Sequence, residues 1–484
     1  MIFLKFFILG VLTALLYPPF FMLPLGFALF PYFIFLISKV SYQKSSLTFF
    51  ISGSLFGFGF LITYLSWIHN PFMVYETTKP YAILALLLPI FLSIFFGLVF
   101  ILYKYFNAQL LRILVTPFIF ILIELIISNF IYGFPWVSNS LILSNNIFGF
   151  YLIKHFGIIT SGYLILLIFL LTNLLFYYPK TKKFYKLVFL TYSPLIFIIV
   201  FPIISNLSNN NSLGKEITIE AHQILNPINS INKNNIEDNI INIINNSNSD
   251  YIVFAENNFP YLIYKDNLSN LSDLIKKNKK IIIGGTTYKD ENYYNSFLLL
   301  EKDKVHFFDK KILVPFGEFL PFRKYLNFME IISGNVDFNK GSIDRIIVTS
   351  DNLKILPIIC YEIIFDKIFN NINKKEIDIL INITNDSWFG TKTGPYQHFY
   401  ITRIKSLVAN KSLLRVSNNG ISAIIDNNGK IIKSTKLNQK TNINYKLNIN
   451  NNKSYLYVHK LFTYYLFLIF ILLLIFSKRK VNEN

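Results

Sequence analysis

The chain has 484 residues, 53% of them hydrophobic, with 51 Phe, 30 Tyr and a positive mean hydropathy, more apolar surface than a soluble core of this length needs; a membrane protein is expected. Its net charge of +19 comes with lysine, isoleucine and asparagine abundant throughout rather than with a basic, aromatic-interleaved helix, so nucleic acid is set aside as a partner. A single cysteine excludes an internal disulfide and a multi-cysteine metal site, and the six histidines (69, 155, 222, 306, 398, 459) are scattered, so neither metal nor cofactor is expected.

Residues 1–206 are almost continuously apolar. A bilayer crossing takes about 20 apolar residues, which predicts spans near 4–22, 24–38, 47–68, 82–103, 113–131, 153–177 and 187–205, with an eighth at 457–476. Pro18, Pro19, Pro24 and Pro31 interrupt the first two. Lysine and arginine gather in cytoplasmic loops, which orients the set. With the N-terminus inside, inner loops hold Lys39 and Lys44, then Lys104 and Arg112, then Lys180, Lys182, Lys183 and Lys186. Outer loops are poorer: Lys79 lies in one, and residues 132–152 carry no charge before Lys154. The predicted organisation is a seven-span membrane domain (1–206), an extracytoplasmic domain (207–455), an eighth span (456–477) and a cytoplasmic basic tail (478–484). No small-residue cleavage site follows the first span, which is expected to stay as an anchor in the bilayer.

In the domain between the spans, short β-rich runs alternate with helical stretches. Predicted strands are EITIEA (216–221), YIVFAE (251–256), KIIIGGT (280–286), NSFLLL (295–300), KVHFFD (304–309), LKILPII (353–359), DILINIT (378–384), LLRVS (413–417) and SAIID (422–426). Ile236, Ile240, Ile243 and Ile244 recur at helical spacing, and 396–411 reads as a second helix. The Asn runs at 207–212 and 232–235 read as linker and loop. This alternation predicts an α/β layered domain.

Three strands end on a residue with chemical capacity: Glu256 after YIVFA, Lys310 after KVHFFD, and Cys360, the one cysteine, after ILPII. Catalytic groups in α/β domains gather at such carboxyl ends. A thiol is only a few per cent ionised at neutral pH and needs a base or a nearby cation. Glu256 can take its proton, while Lys310 and the Tyr361 N–H can stabilise the oxyanion formed when the thiolate attacks a carbonyl. Singly, each has a plainer role, as an inert core thiol, a solvated carboxylate or a surface lysine.

Longer motifs shift that balance. YNSFLLL (294–300), DKKILVPFGEFLPF (309–322), CYE (360–362), NITNDSWFG (382–390), GPYQH (394–398) and LLRVSNNGISAIID (413–426) resemble the nitrilase superfamily, whose Glu–Lys–Cys triad occurs in this order. Within it, the chain is similar over nearly its whole length to the apolipoprotein N-acyltransferases, as are GFGFLITYLSWI (57–68) and GFPW (133–136) in the membrane part.

The resemblance implies Glu256 as general base, Lys310 as oxyanion stabiliser and Cys360 as nucleophile, with Glu318 and Glu362 supporting the site, Tyr361 shaping it and Trp388 in a loop near the cavity. It implies a nitrilase-like αββα sandwich joined to a polytopic α-helical domain of about eight spans in a bacterial inner membrane, with the catalytic domain periplasmic and both termini cytoplasmic. The implied reaction passes an acyl chain from a phospholipid donor through a thioester to the α-amino group of a diacylglyceryl-lipoprotein acceptor. Such a donor arrives within the bilayer, and FRKYLNFMEII (322–332) reads equally as a lipid-touching arm or a packed helix. Departures from the family pattern are VFA before Glu256, NNFP after it, Val408 in place of Glu, and Ile126, Ile127 and Ser128 where an Arg is common after Glu124. Two other functions stay open on the residues: a membrane-tethered amidase using the same triad with water, and a non-catalytic scaffold.

Overall fold

A computed structural model describes residues 1–41, 45–177, 185, 189, 215–227, 232–272, 274–275, 279–326, 329–342, 345–369, 376–449 and 453–482. It divides into a helical unit (Met1–His69, Ile83–Asn211 and Tyr455–Asn484) and an α/β unit (Asn70–Ala82 and Ser212–Ser454). The α/β unit therefore takes in a stretch, 70–82, from within the predicted membrane domain.

In hydrocarbon every backbone N–H must be paired inside its own segment, so long apolar runs become helices. Among the described residues six are long and apolar enough to cross a membrane: Leu23–Ser41, Ser46–Tyr64, Lys79–Tyr105, Gln109–Asn129, Ile147–Leu174 and Leu456–Ile475. Of the predicted span at 187–205, residue 189 alone is among the described residues. The predicted first span is shorter than expected: its helix is Ile2–Ala14, 13 residues, about 20 Å at 1.5 Å per residue. It stops ahead of Pro18 and Pro19, which lack the N–H a further turn needs and push the preceding residue out of the helical region. Pro31, by contrast, sits inside the Gly26–Ser41 helix without ending it.

Close helix packing rests on small residues. A Cβ on Gly10 would stand 2.1 Å from the Phe56 carbonyl oxygen, and one on Gly59 2.2 Å from that of Phe7. Around this contact lies a Phe-rich interior in which Phe33, Phe56, Phe100 and Phe120 meet edge to face or tilted. Arg112 is buried there and pairs its Nε–H with the Phe106 carbonyl (2.7 Å). Glu124 accepts from the Asn139 main-chain N–H (2.9 Å) and Nδ2 (2.8 Å), fixing the turn that follows GFPW.

The α/β unit has two sheets among the described residues. Its strands are β1 (Lys215–Gln223), β2 (Tyr251–Val253), β3 (Ile263–Tyr264), β4 (Lys280–Lys289), β5 (Asn292–Glu301), β6 (Lys304–Asp309), β7 (Ile347–Val348), β8 (Lys354–Ile359), β9 (Ile379–Thr384), β10 (Ser412–Ser417), β11 (Ala423–Ile425), β12 (Ile431–Ser434) and β13 (Thr441–Ile449). The first sheet runs β13-β1-β2-β4-β5-β6, with β3 beside β4; the second runs β12-β11-β10-β9-β8-β7. β1, β2 and β4 are parallel, as are β8, β9 and β10, and antiparallel strands flank them. All nine predicted strands are present; β3, β7, β12 and β13 were not predicted.

The helix Lys233–Asn246 covers the first sheet, burying Ile240 and Ile244 among Ile252, Phe254, Ile281, Ile283 and Leu298. It begins at Lys233, inside the Asn run expected to be loop, while the run at 207–212 lies outside the described residues. The helix Thr393–Ala409 lies on the second sheet, where Thr402 Oγ1 accepts from Arg415 Nη1 of β10 (3.0 Å). Among its described residues FRKYLNFMEII is not one packed helix. It holds two single turns, Arg323–Leu326 and Glu330–Ser333, with Phe322 and Tyr325 60% and 75% exposed.

Candidate active site

The carboxyl ends of parallel strands place side chains along one edge of a sheet. β2 leads to Glu256, and β4 holds that segment closely, with Phe254 N–H donating to the Ile282 carbonyl (2.8 Å) and Gly284 N–H to the Ala255 carbonyl (3.1 Å). The approach at Gly284 leaves no room for a side chain: a Cβ would lie 2.6 Å from Glu256 Cα and 2.7 Å from Asn257 N. Those are main-chain atoms and cannot swing aside, so Gly284→Ala displaces Glu256. Turnover is expected to fall at least about tenfold with a stability loss of about 1–3 kcal/mol, checked by initial rates and thermal unfolding of the same preparation.

Glu256 is buried and fully engaged: Oε1 accepts from Asn295 Nδ2 (2.9 Å) and faces Lys310 Nζ (3.4 Å), and Oε2 accepts from Asn385 N–H (2.8 Å). Lys310 follows β6, its N–H bound to the Asn295 carbonyl (2.8 Å), and its ammonium, 1% exposed, donates to Glu318 Oε1 (2.8 Å). Glu318 Oε2 accepts from Val314 N–H (2.8 Å). Cys360 follows β8 in the left-handed region, φ +48°, and is buried. Its thiol lies within reach of the charges of Glu256 and Lys310, and the pairing of Ile359 with Ile383 across β8 and β9 sets Thr384 beside it. The structure thus brings Glu256, Lys310, Glu318 and Cys360 into one cluster.

Burial pushes the Cys360 thiol well up, and Glu256 adds to that, while Lys310 and Thr384 pull the other way. Burial and Glu318 raise the Glu256 carboxyl against the opposing Lys310 charge. On Lys310, burial works against the charge, but Glu318, Glu256 and the thiol outweigh it and hold the ammonium firmly protonated. A protonated thiol therefore rests against a carboxylate whose basicity is enhanced, with a cation at hand. These are the parts that covalent acyl transfer requires.

Glu362 and Tyr361 lie beside this cluster. Glu362 Oε1 accepts from Lys311 N–H (2.8 Å), Ile312 N–H (3.0 Å) and Arg345 Nη2 (2.8 Å), and Oε2 from Ile359 N–H (3.1 Å). It therefore staples the loop after Lys310 to the loop of Cys360. Tyr361 is buried, with its ring edge-on to Phe365 at 5.1 Å. Trp388 lies in the turn Asp386–Phe389, its ring centroid 6.2 Å from that of Tyr75, and Asn70 Nδ2 donates to the Phe389 carbonyl (3.0 Å). Residues 70–82 thus cover the Trp388 turn.

The sequence did not single out Asn295, which joins Glu256 to Glu318 through one amide group, donating to Glu318 Oε1 at 2.7 Å. Nor did it single out Arg345, or the buried set of Thr384, Asp386, His398 and Arg415 behind Cys360. The signal for Asn295 was at hand, as it lies inside the YNSFLLL motif. For Arg345 there was none.

A two-sheet α/β unit that gathers Glu, Lys and Cys from three strand ends defines a carbon–nitrogen hydrolase domain, and the family model described as carbon-nitrogen hydrolase matches residues 231–453. Residues 9–171 match the apolipoprotein N-acyltransferase N-terminal domain. An apolipoprotein N-acyltransferase of Rickettsia typhi is 30% identical over 454 residues, covering 90% of this chain and 89% of its own. One from Wigglesworthia glossinidia brevipalpis is 31% identical over 410 residues, covering 78% and 79%. The chain belongs to the apolipoprotein N-acyltransferase family and is an N-acyltransferase.

Proposed function

We propose that this enzyme N-acylates the N-terminal diacylglyceryl-cysteine of lipoproteins, taking the acyl chain from a phospholipid by way of a thioester on Cys360. The observation that carries this is the buried Cys360 thiol under the charge of Glu256, with the Lys310 ammonium 3.4 Å from the same carboxylate. Glu256 accepts the thiol proton, and the thiolate attacks the ester carbonyl. Lys310 and the Tyr361 N–H stabilise the resulting oxyanion. Collapse expels the lysophospholipid alkoxide, which takes the proton back from Glu256. In the second half the lipoprotein amine attacks the thioester, Glu256 takes the amine proton, and the thiol is restored. Transfer rather than hydrolysis requires water to be kept from the thioester until the amine arrives.

The proposed setting is a bacterial inner membrane with eight spans, the α/β unit as a periplasmic αββα sandwich, and both termini cytoplasmic. Six apolar helices, helices on both sheets and the lysine and arginine pattern support it. The exposed Phe322 and Tyr325 support lipid contact by the 322–332 segment. The departure at Val408 is a buried core position of the Thr393–Ala409 helix.

Intact-mass analysis of the full chain incubated with phospholipid tests the sequence of steps. A fatty-acyl increment that a diacylglyceryl-cysteine peptide discharges, yielding N-acylated peptide, is the expected result. No increment with any phospholipid overturns the thioester route, and free fatty acid in place of acylated peptide makes the enzyme a hydrolase.

A further inference from the structure

We propose that Thr384 is a further catalytic residue, its hydroxyl turning from Asp386 to the Cys360 sulfur as the thiolate forms. This rests on Cys360 being the nucleophile. Thr384 closes β9, fully buried, and its one hydroxyl proton faces two acceptors. It donates to Asp386 Oδ1 at 3.2 Å, a long bond, and the parallel register that pairs Ile359 with Ile383 sets Thr384 beside Cys360, whose thiol it favours in the charged form. Rotation about a single C–O bond moves the proton from one to the other.

The position of Asp386 is fixed independently. Oδ2 accepts from Arg415 Nη2 at 2.5 Å, Oδ1 pairs with His398 Nδ1 at 2.9 Å, and all three side chains are fully buried. Burial alone would raise its carboxyl, but Arg415 and His398 overcome that and hold it well below the usual carboxylate range. Asp386 is thus a permanent anion that takes the Thr384 proton while the sulfur is neutral. Placed where it also repels a thiolate, it would be a poor neighbour for the nucleophile without a hydroxyl between them. When Glu256 takes the proton from sulfur, the negative charge moves to Sγ and the hydroxyl follows it, giving the thiolate a direct donor. No bond to Thr384 breaks, and the proton is accounted for on Glu256. Lys310, in comparison, acts on the sulfur by charge.

Because Cys360 is the one cysteine, alkylation of the full chain by iodoacetamide, followed by mass against pH, reports this thiol alone. The thiol also faces Glu256 beyond β2, Lys310 beyond β6 and Asp386 beyond β9, with Glu318 behind Lys310 and His398 against the Cys360 main chain from the Thr393–Ala409 helix. All stay in place in Thr384→Val and Thr384→Ser. The valine variant is expected to move the alkylation profile up by about one pH unit, roughly tenfold slower at a given pH, and to lower kcat about tenfold with KM for phospholipid little changed. Serine restores both, which a purely structural loss of the threonine shape would not allow. A valine profile that coincides with wild type overturns the proposal. Retained turnover in Cys360→Ala would instead sink the nucleophile assignment, and the alkylation result for Thr384 would stand apart from it.

Discussion

Cys360→Ala is expected to lose acyl transfer by about 10⁴-fold or more, because no neighbouring group can form the covalent intermediate in its place. Glu256→Gln keeps the shape and the hydrogen bond from Asn295 but cannot take a proton, and is expected to lose about 10²–10⁴ in kcat/KM. The two differ in what they leave behind. The glutamine variant still acquires an acyl adduct slowly, visible by intact mass, whereas the alanine variant acquires none. The pH dependence follows from Glu256, whose carboxyl is raised by burial and Glu318. As pH falls, its basic form is lost earlier than that of an exposed carboxylate near 4.3, so the acidic limb of kcat/KM lies above that value. In Glu256→Gln that limb disappears. A wild-type profile flat down to pH 4, or an alanine variant that still turns over, would remove these two residues from the mechanism.

The largest expected loss of stability comes from Arg415→Met. Arg415 is fully buried and uses its guanidinium on four acceptors: Asp386 Oδ2 (2.5 Å), Asn382 Oδ1 (2.9 Å), Thr402 Oγ1 (3.0 Å) and the Ile421 carbonyl (3.1 Å). Breaking one side of a buried ion pair leaves the other charge without compensation, typically about 3–5 kcal/mol. For a unit of this size that corresponds to a midpoint about 10 °C lower, read from thermal unfolding of the full chain in detergent. Asp386→Leu added to Arg415→Met removes the stranded anion and is expected to recover part of the loss. If Arg415→Met alone costs under about 1 kcal/mol, the pair is not isolated from water as its burial implies.

The central strands were legible because parallel strands covered on both faces read as continuous apolar runs: LPII in β8 and ILINI in β9. Cys360, Glu256 and Lys310 were legible because each interrupts such a run at its end. β13 was missed although Ile443, Tyr445, Leu447 and Ile449 alternate with exposed Asn and Lys, because the Asn-rich stretch around it reads as loop. Asp386, His398 and Arg415 look like ordinary polar residues of a loop, a helix and a strand. Only the parallel pairing of β9 with β10, and the helix laid across them, brings 386, 398 and 415 within bonding distance. Asn295 stood inside a motif that was read, YNSFLLL, but its role did not show there, because it lies in two carboxylates 39 and 23 residues away.

The inclusion of residues 70–82 in the α/β unit bears on how the chain is made and how it can be cut. Asn70 reaches the Phe389 carbonyl across 319 residues. During synthesis this segment is finished long before its partner exists, so the cover over the Trp388 turn closes only after most of the chain has been made. A fragment starting at residue 207, the natural choice from composition, would carry Glu256, Lys310 and Cys360 yet lack that cover. Supplying 70–82 in trans, or joining it through a linker, is the way to ask whether the cut piece can be made whole.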